Sequence, residues 1–169
     1  MSDEDALDRI VTSLYGAMLD ESHWSATSAL IDEACGVAGQ SLMVGEGERD
    51  ERKANYVGLY HGGRRRYELE RECLENYYPI DECVPRVRQL PDSRLVHVRE
   101  LYTADELKTS PAYNELFPRA RQRNSLAVRL ILADGAYVFW ALGDPVGRDD
   151  WVSSAFAKCW SAPRRGTQR

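Results

Sequence analysis

Ser125-Leu126-Ala127-Val128-Arg129-Leu130-Ile131-Leu132, then Ala133-Asp134-Gly135-Ala136, then Tyr137-Val138-Phe139-Trp140-Ala141-Leu142 is the stretch that decides the architecture. Its outer runs are rich in the branched and aromatic residues that fit a pleated, half-buried surface. Asp134-Gly135 between them is a preferred centre of a type I′ turn, which requires positive φ at both positions. The stretch therefore predicts an antiparallel hairpin.

Working upstream, Gln40–Val44 and Asn55–Tyr60 are two further β-like runs. They flank Gly-Glu-Gly-Glu-Arg-Asp-Glu-Arg-Lys, which cannot bury itself and reads as an exposed loop joining an antiparallel pair. Leu95–Val98 is a shorter strand. Gly62-Gly63 breaks the second run, after which Arg65 to Tyr77 reads as a helix stopped by Pro79. Residues 79–95 carry Pro79, Pro85 and Pro91 and read as irregular. Thr103 and Glu106 have capping-box spacing for a short helix over Ala104–Lys108, and Ser110-Pro111 opens the next.

At the amino end, Leu7, Ile10, Val11, Leu14, Tyr15 and Met18 form one apolar stripe on a helix from Asp5 to Leu19. Ser22 is positioned to cap a second helix that points Trp24, Ile31, Ala34 and Cys35 inward and ends at Gly36. At the carboxy end, Asp149 is expected to cap a helix over Trp151–Trp160. The order of helices and strands excludes a regularly wound parallel sheet and predicts an α+β domain. Its centre is an antiparallel sheet of about five strands with flanking helices at one face, the build of PAS and GAF modules. Residues 1–160 form one such domain, and 161–169 read as a disordered basic tail.

The formal net charge of -5 gives no general attraction to nucleic acid, so direct nucleic-acid binding is not expected. Residues 1–51 carry net -10 and residues 52–169 net +5, an asymmetry that suits solvated surface or complementary contact faces. No signal sequence or apolar span is read, which points to the cytoplasm. Cys35, Cys73, Cys83 and Cys159 lack short paired spacings, so neither disulfides nor a zinc site with His23, His61 or His97 is expected.

Other constellations read as surface or core. Cys83 with His97 carries no local signature of a nucleophilic pair. His61-Gly62-Gly63-Arg64-Arg65-Arg66 joins flexible backbone to three cations before a helix, the ingredients of an anion site, yet it also reads as a charged strand-to-helix loop. Arg119, Arg121, Arg123 and Arg129 read as a solvated connection. The aromatic strands are the richer feature: Tyr56 and Tyr60 on one, Tyr137, Phe139 and Trp140 on another, offering either core packing or an apolar cavity with a few polar handles. Tyr56, Tyr102, Phe139 and Trp140 are the candidate ligand-binding residues.

Leu101-Tyr102-Thr103-Ala104-Asp105-Glu106-Leu107-Lys108-Thr109-Ser110-Pro111-Ala112-Tyr113-Asn114-Glu115 with Trp140-Ala141-Leu142-Gly143-Asp144-Pro145 resembles the amino-terminal sensor region of LuxR-type helix-turn-helix transcriptional regulators. Tyr77-Tyr78-Pro79-Ile80-Asp81 followed by Val84-Pro85-Arg86 is similar to the same region, and the resemblance runs over nearly 5–155. Glu82 and Cys83 depart from it, since relatives place Pro after the aspartate. Relatives also continue beyond the position of Trp151 through a long helix to a DNA-binding half, which is not expected in this chain.

The resemblance implies a PAS- or GAF-like input domain. The expectation is a non-enzymatic sensing domain for a small molecule or a partner, with no cofactor and no metal. Its homodimer is expected to form through Leu7, Ile10, Val11, Leu14 and Met18. The alternative is a dimerisation module with a filled core that binds a full-length regulator, and the third reading is an enzyme with an unrecognised site.

Overall fold

The computed structural model describes residues 3–46, 53–132 and 135–146. Helix α1 (Asp3–Leu19) and helix α2 (Trp24–Cys35) form the expected helical hairpin. Thr27 donates its hydroxyl to the Ser13 carbonyl at 3.1 Å, which ties the two together. The cap between them differs from expectation. Asp20, not Ser22, caps a 3₁₀ turn over Glu21–His23, its side chain accepting the Ser22 N–H at 2.9 Å. A carboxylate is a strong acceptor at such a position, and Ser22 supplies the orphan N–H. Gly36 ends α2 at φ 64°, the left-handed conformation anticipated from its lack of a Cβ.

The sheet has six strands rather than about five: β1 (Gln40–Glu46), β2 (Lys53–His61), β3 (Arg64–Arg65), β4 (Leu95–His97), β5 (Leu126–Ile131) and β6 (Tyr137–Leu142). Their order is β3-β2-β1-β6-β5-β4, with every pairing antiparallel. The extra strand is β3. Gly62 and Gly63 both have positive φ, 55° and 77°, so they turn the chain back on itself where a plain break was expected. The following helix α3 (Tyr67–Glu72) consequently starts two residues later than the pattern predicts.

Helices cover both faces of the sheet, a correction to the one-face arrangement. On the first face, Met43, Val57, Phe139 and Ala141 pack under α3, α4 (Cys83–Val87), α5 (Glu106–Thr109) and α6 (Phe117–Ala120) and their connecting turns. On the second, Leu126, Leu142 and Trp140 meet Ile10, Leu14 and Ile31 of α1 and α2. Strand alternation explains this: buried residues on both sides of β6 leave neither face fit for water. The α1 stripe is divided accordingly, with Ile10 and Leu14 packed inward while Leu7, Val11, Tyr15 and Met18 are exposed.

The hairpin read from β5 and β6 is present, with Leu126 opposite Leu142 and Ile131 opposite Tyr137. Leu132 N–H donates to the Ala136 carbonyl at 2.8 Å, a register one residue off the two-residue turn expected at Asp134-Gly135. The capping box is also present: Glu106 N–H donates to Thr103 Oγ1 at 3.2 Å and Thr103 N–H donates back to Glu106 Oε2 at 2.7 Å. Residues 133–134 of the turn, the helix expected over 151–160 and the tail at 161–169 lie outside the described residues. No helix among the described residues is long and apolar enough to cross a membrane.

Candidate functional site

Between the first sheet face and its helices lies a cavity of about 80 Å³. Met43, Val57, Leu59, Phe139 and Ala141 form its floor, and Val84, Val87, Leu116 and Phe117 belong to its roof. Register explains the floor. Met43 is paired with both Val57 and Phe139, and Ser41 with both Leu59 and Ala141, so these side chains share one face. Two five-residue π-helical turns, Cys73–Tyr77 and Ala112–Leu116, contribute Cys73 and Leu116 to the wall. Such wide turns are rare and recur at functional sites.

Polar groups enter this apolar space at few points. Asp81 is the main one, lining the cavity from the turn before α4 at 7% exposure. Its Oδ1 accepts the Tyr102 hydroxyl at 2.7 Å and the Cys83 N–H at 2.9 Å, and its Oδ2 accepts the Cys83 thiol at 3.4 Å. Burial lifts the Asp81 carboxyl above its usual range, opposed by the Tyr102 and Cys83 hydrogen bonds. Burial and the neighbouring carboxylate likewise push the Cys83 thiol up, which keeps it protonated and unsuited to nucleophilic work. Cys73 is pushed up to about 12, chiefly by burial.

At another part of the wall, Ser41 donates to Gln122 Oε1 at 3.5 Å, and Gln122 Nε2 is buried with no hydrogen-bond partner among the described residues. The arrangement can enclose an apolar body and read polar atoms through a carboxyl and an amide. An unfilled apolar cavity of this size costs on the order of 2 kcal/mol in lost packing.

The four candidate ligand-binding residues do not converge. Phe139 lines the cavity and Tyr102 reaches it through Asp81. Trp140, next to Phe139 on the strand, points to the opposite face, where its indole N–H donates to Gln40 Oε1 at 3.2 Å. Gln40 in turn donates to the Ser28 carbonyl and to Asp32 Oδ1, both at 3.0 Å, so this chain of polar contacts fastens α2 to the sheet. Tyr56 also lies on that second face, in a separate cleft with Trp24, Tyr60 and Arg65. Sequence patterns do not single out Asp81 or Gln122, which line the cavity. The spacing around Asp81 carried only a resemblance, and Gln122 sits among arginines that read as surface.

Among the described residues no group of three or more His, Cys, Asp or Glu is placed to hold a metal ion. No family model matches the chain and no curated protein matches it in sequence. Among solved structures the chain is similar to "SdiA in complex with octanoyl-rac-glycerol", at 16% identity and a TM-score of 0.55. That likeness covers 91% of this chain and 60% of the SdiA chain, so the chain spans about three fifths of the length of the structure it matches. At this identity it is a likeness of fold.

Proposed function

We propose that this chain is a small-molecule sensing domain of the LuxR type, binding a chain-bearing apolar ligand in the cavity between the first sheet face and its helices. The observation that carries the reading is the apolar cavity with the buried Asp81 carboxyl set in its wall. The fold shared with SdiA, itself in complex with octanoyl-rac-glycerol, supports it. Phe139 packs the ligand body, Asp81 accepts a hydrogen bond from its polar end, and Tyr102 holds Asp81 in place. The free volume suits a short aliphatic chain, and a longer one is accommodated by rotamer changes of flexible wall residues such as Met43.

Native mass spectrometry of the purified chain, with a thermal titration of octanoyl-rac-glycerol, tests the proposal. The expected result is a releasable small molecule or a dose-dependent rise in melting temperature that Val57→Trp, which fills the cavity, abolishes. A chain that retains nothing and is not stabilised by the acylglycerol overturns it.

The exposed Leu7, Val11, Tyr15 and Met18 on α1 favour a second reading alongside the first, a cytoplasmic homodimer or a pairing with a full-length regulator through this helix.

A further inference from the structure

The cleft on the second face of the sheet is not used by that reading. It is an open cleft of about 610 Å³ between the carboxy-terminal turn of α1 and strands β1–β3. Small-molecule sites commonly fall in the range of about 300–1,000 Å³. Trp24, Tyr56, Tyr60 and Tyr67 wall it, with Leu42 at its floor. Trp24 meets Tyr60 edge-on, the ring centroids 6.1 Å apart.

Arg65 is the cation in the lining of the cleft. The Gly62-Gly63 turn sets β3 against β2 and pairs Arg65 with Tyr60. Arg65 Nε donates to Glu70 Oε1 at 2.9 Å and Oε2 at 3.2 Å, while Glu70 Oε1 also accepts the Leu59 N–H at 2.9 Å. The guanidinium carbon lies 4.7 Å from the Tyr67 ring centroid, 5.1 Å from Tyr56 and 6.0 Å from Tyr60. The side chain is 24% exposed, and its two terminal nitrogens have no hydrogen-bond partner among the described residues.

A guanidinium fixed by aromatic contacts and by its Nε, with its terminal donors free, is preorganised for a planar acceptor. A carboxylate fits that fork with two parallel hydrogen bonds, and the tyrosine and tryptophan walls fit a flat unsaturated body. Charge sets a limit. Glu70 balances Arg65, and Asp20 and Glu21 on the cleft wall repel further negative charge. A doubly charged phosphate is therefore disfavoured against a singly charged acid.

We propose that this cleft is a second ligand site, one that takes small aromatic monocarboxylates with Arg65 as the anchoring residue. The anion site read from His61–Arg66 then exists in a different form: the glycines do not cradle the anion but turn the chain so that Arg65 faces the tyrosines.

The test is a titration of the full chain with phenylacetate, its methyl ester and phenyl phosphate, followed by ¹H–¹⁵N spectra at the Trp24 indole N–H and the Arg65 Nε–H. Phenylacetate is expected to shift both signals, with the ester and the phosphate at least about tenfold weaker. Arg65→Lys, which keeps the charge and loses the fork, is expected to weaken phenylacetate at least about fivefold while the remaining spectrum stays folded. Glu21→Gln is expected to narrow the gap between phenylacetate and phenyl phosphate. Absence of any Trp24 shift at about 10 mM phenylacetate, equal affinity for the ester, or shifts confined to residues around Phe139 overturns the proposal.

Discussion

Tyr102 and Asp81 are joined by a 2.7 Å hydrogen bond in which the phenol donates to the carboxylate, both residues being buried at the edge of the inner cavity. The Tyr102 ring also packs on Tyr113 and Phe117, at centroid distances of 5.2 and 6.1 Å, so the hydroxyl is removable without losing the ring. Tyr102→Phe takes one donor from a buried carboxylate and is expected to cost about 1–3 kcal/mol in urea denaturation. Under the proposed function it also weakens octanoyl-rac-glycerol by leaving Asp81 less firmly oriented. Unchanged stability would mean that Asp81 depends on its other partners alone.

The Arg86–Glu106 pair predicts an acid-side dependence of stability. Arg86 donates through both terminal nitrogens, at 2.6 and 2.8 Å, and with the Thr103 N–H this lowers the Glu106 carboxyl to about 2 from an ordinary value of 4.5. A carboxyl lowered by folding contributes stability that is complete above the unfolded value and is lost as pH falls through the folded one. The wild type is expected to lose this contribution between about pH 4.5 and pH 2. Glu106→Gln is expected to be less stable at pH 7 and to lack that component of the acid loss, as read by melting temperature across the interval.

Neighbouring glycines in the β2–β3 turn are expected to differ in their tolerance of a side chain. Both have positive φ, but a Cβ on Gly62 meets nothing within 4 Å, whereas one on Gly63 meets the Ser25 carbonyl oxygen at 2.7 Å and Ala29 Cβ at 3.0 Å. Gly62→Ala is expected to cost about 1–2 kcal/mol from backbone conformation alone. Gly63→Ala adds a clash with α2 and is expected to cost more, in a side-by-side denaturant titration. Equal costs would show that α2 shifts freely away from the turn.

The outer face of α1 gives a prediction about assembly. Leu7, Val11, Tyr15 and Met18 are 47%, 41%, 65% and 78% exposed and lie along one side of the helix. If this face carries the proposed dimer, Val11→Glu converts it to a monomer in sedimentation velocity with little effect on the monomer's fold. A wild-type chain that is monomeric at about 50 µM rules that dimer out, since stable pairs associate below this range.

Legibility in the sequence followed the strength of local signals. The β5–β6 strand pair, the Gly36 helix end and the Thr103–Glu106 box are readable because each is set by residues close together in the chain, the strands by their branched and aromatic composition and the other two by cap chemistry. Strand β3 escaped because two residues carry no periodicity, and its existence depends on the glycine turn closing against α2. From sequence the candidate site is a set of aromatics on strands. Alternation places Phe139 and Trp140 on opposite faces, so proximity along the chain separates them by the thickness of the sheet. Asp81 and Gln122 become neighbours of one cavity only through long-range packing, for which no spacing in the chain provides a sign.

Strand β1 is the partition between the two concavities, with Met43 facing the inner one and Leu42 contributing to the lining of both. Molecules seated on the two sides share a wall one polypeptide thick. Under the two proposals, a guest that displaces the β1 backbone on one side alters the room left on the other, and by thermodynamic reciprocity each would then change the other's affinity by the same factor. If both proposed sites are occupied, β1 is the element that would couple them, and the response to one chemical would depend on the other.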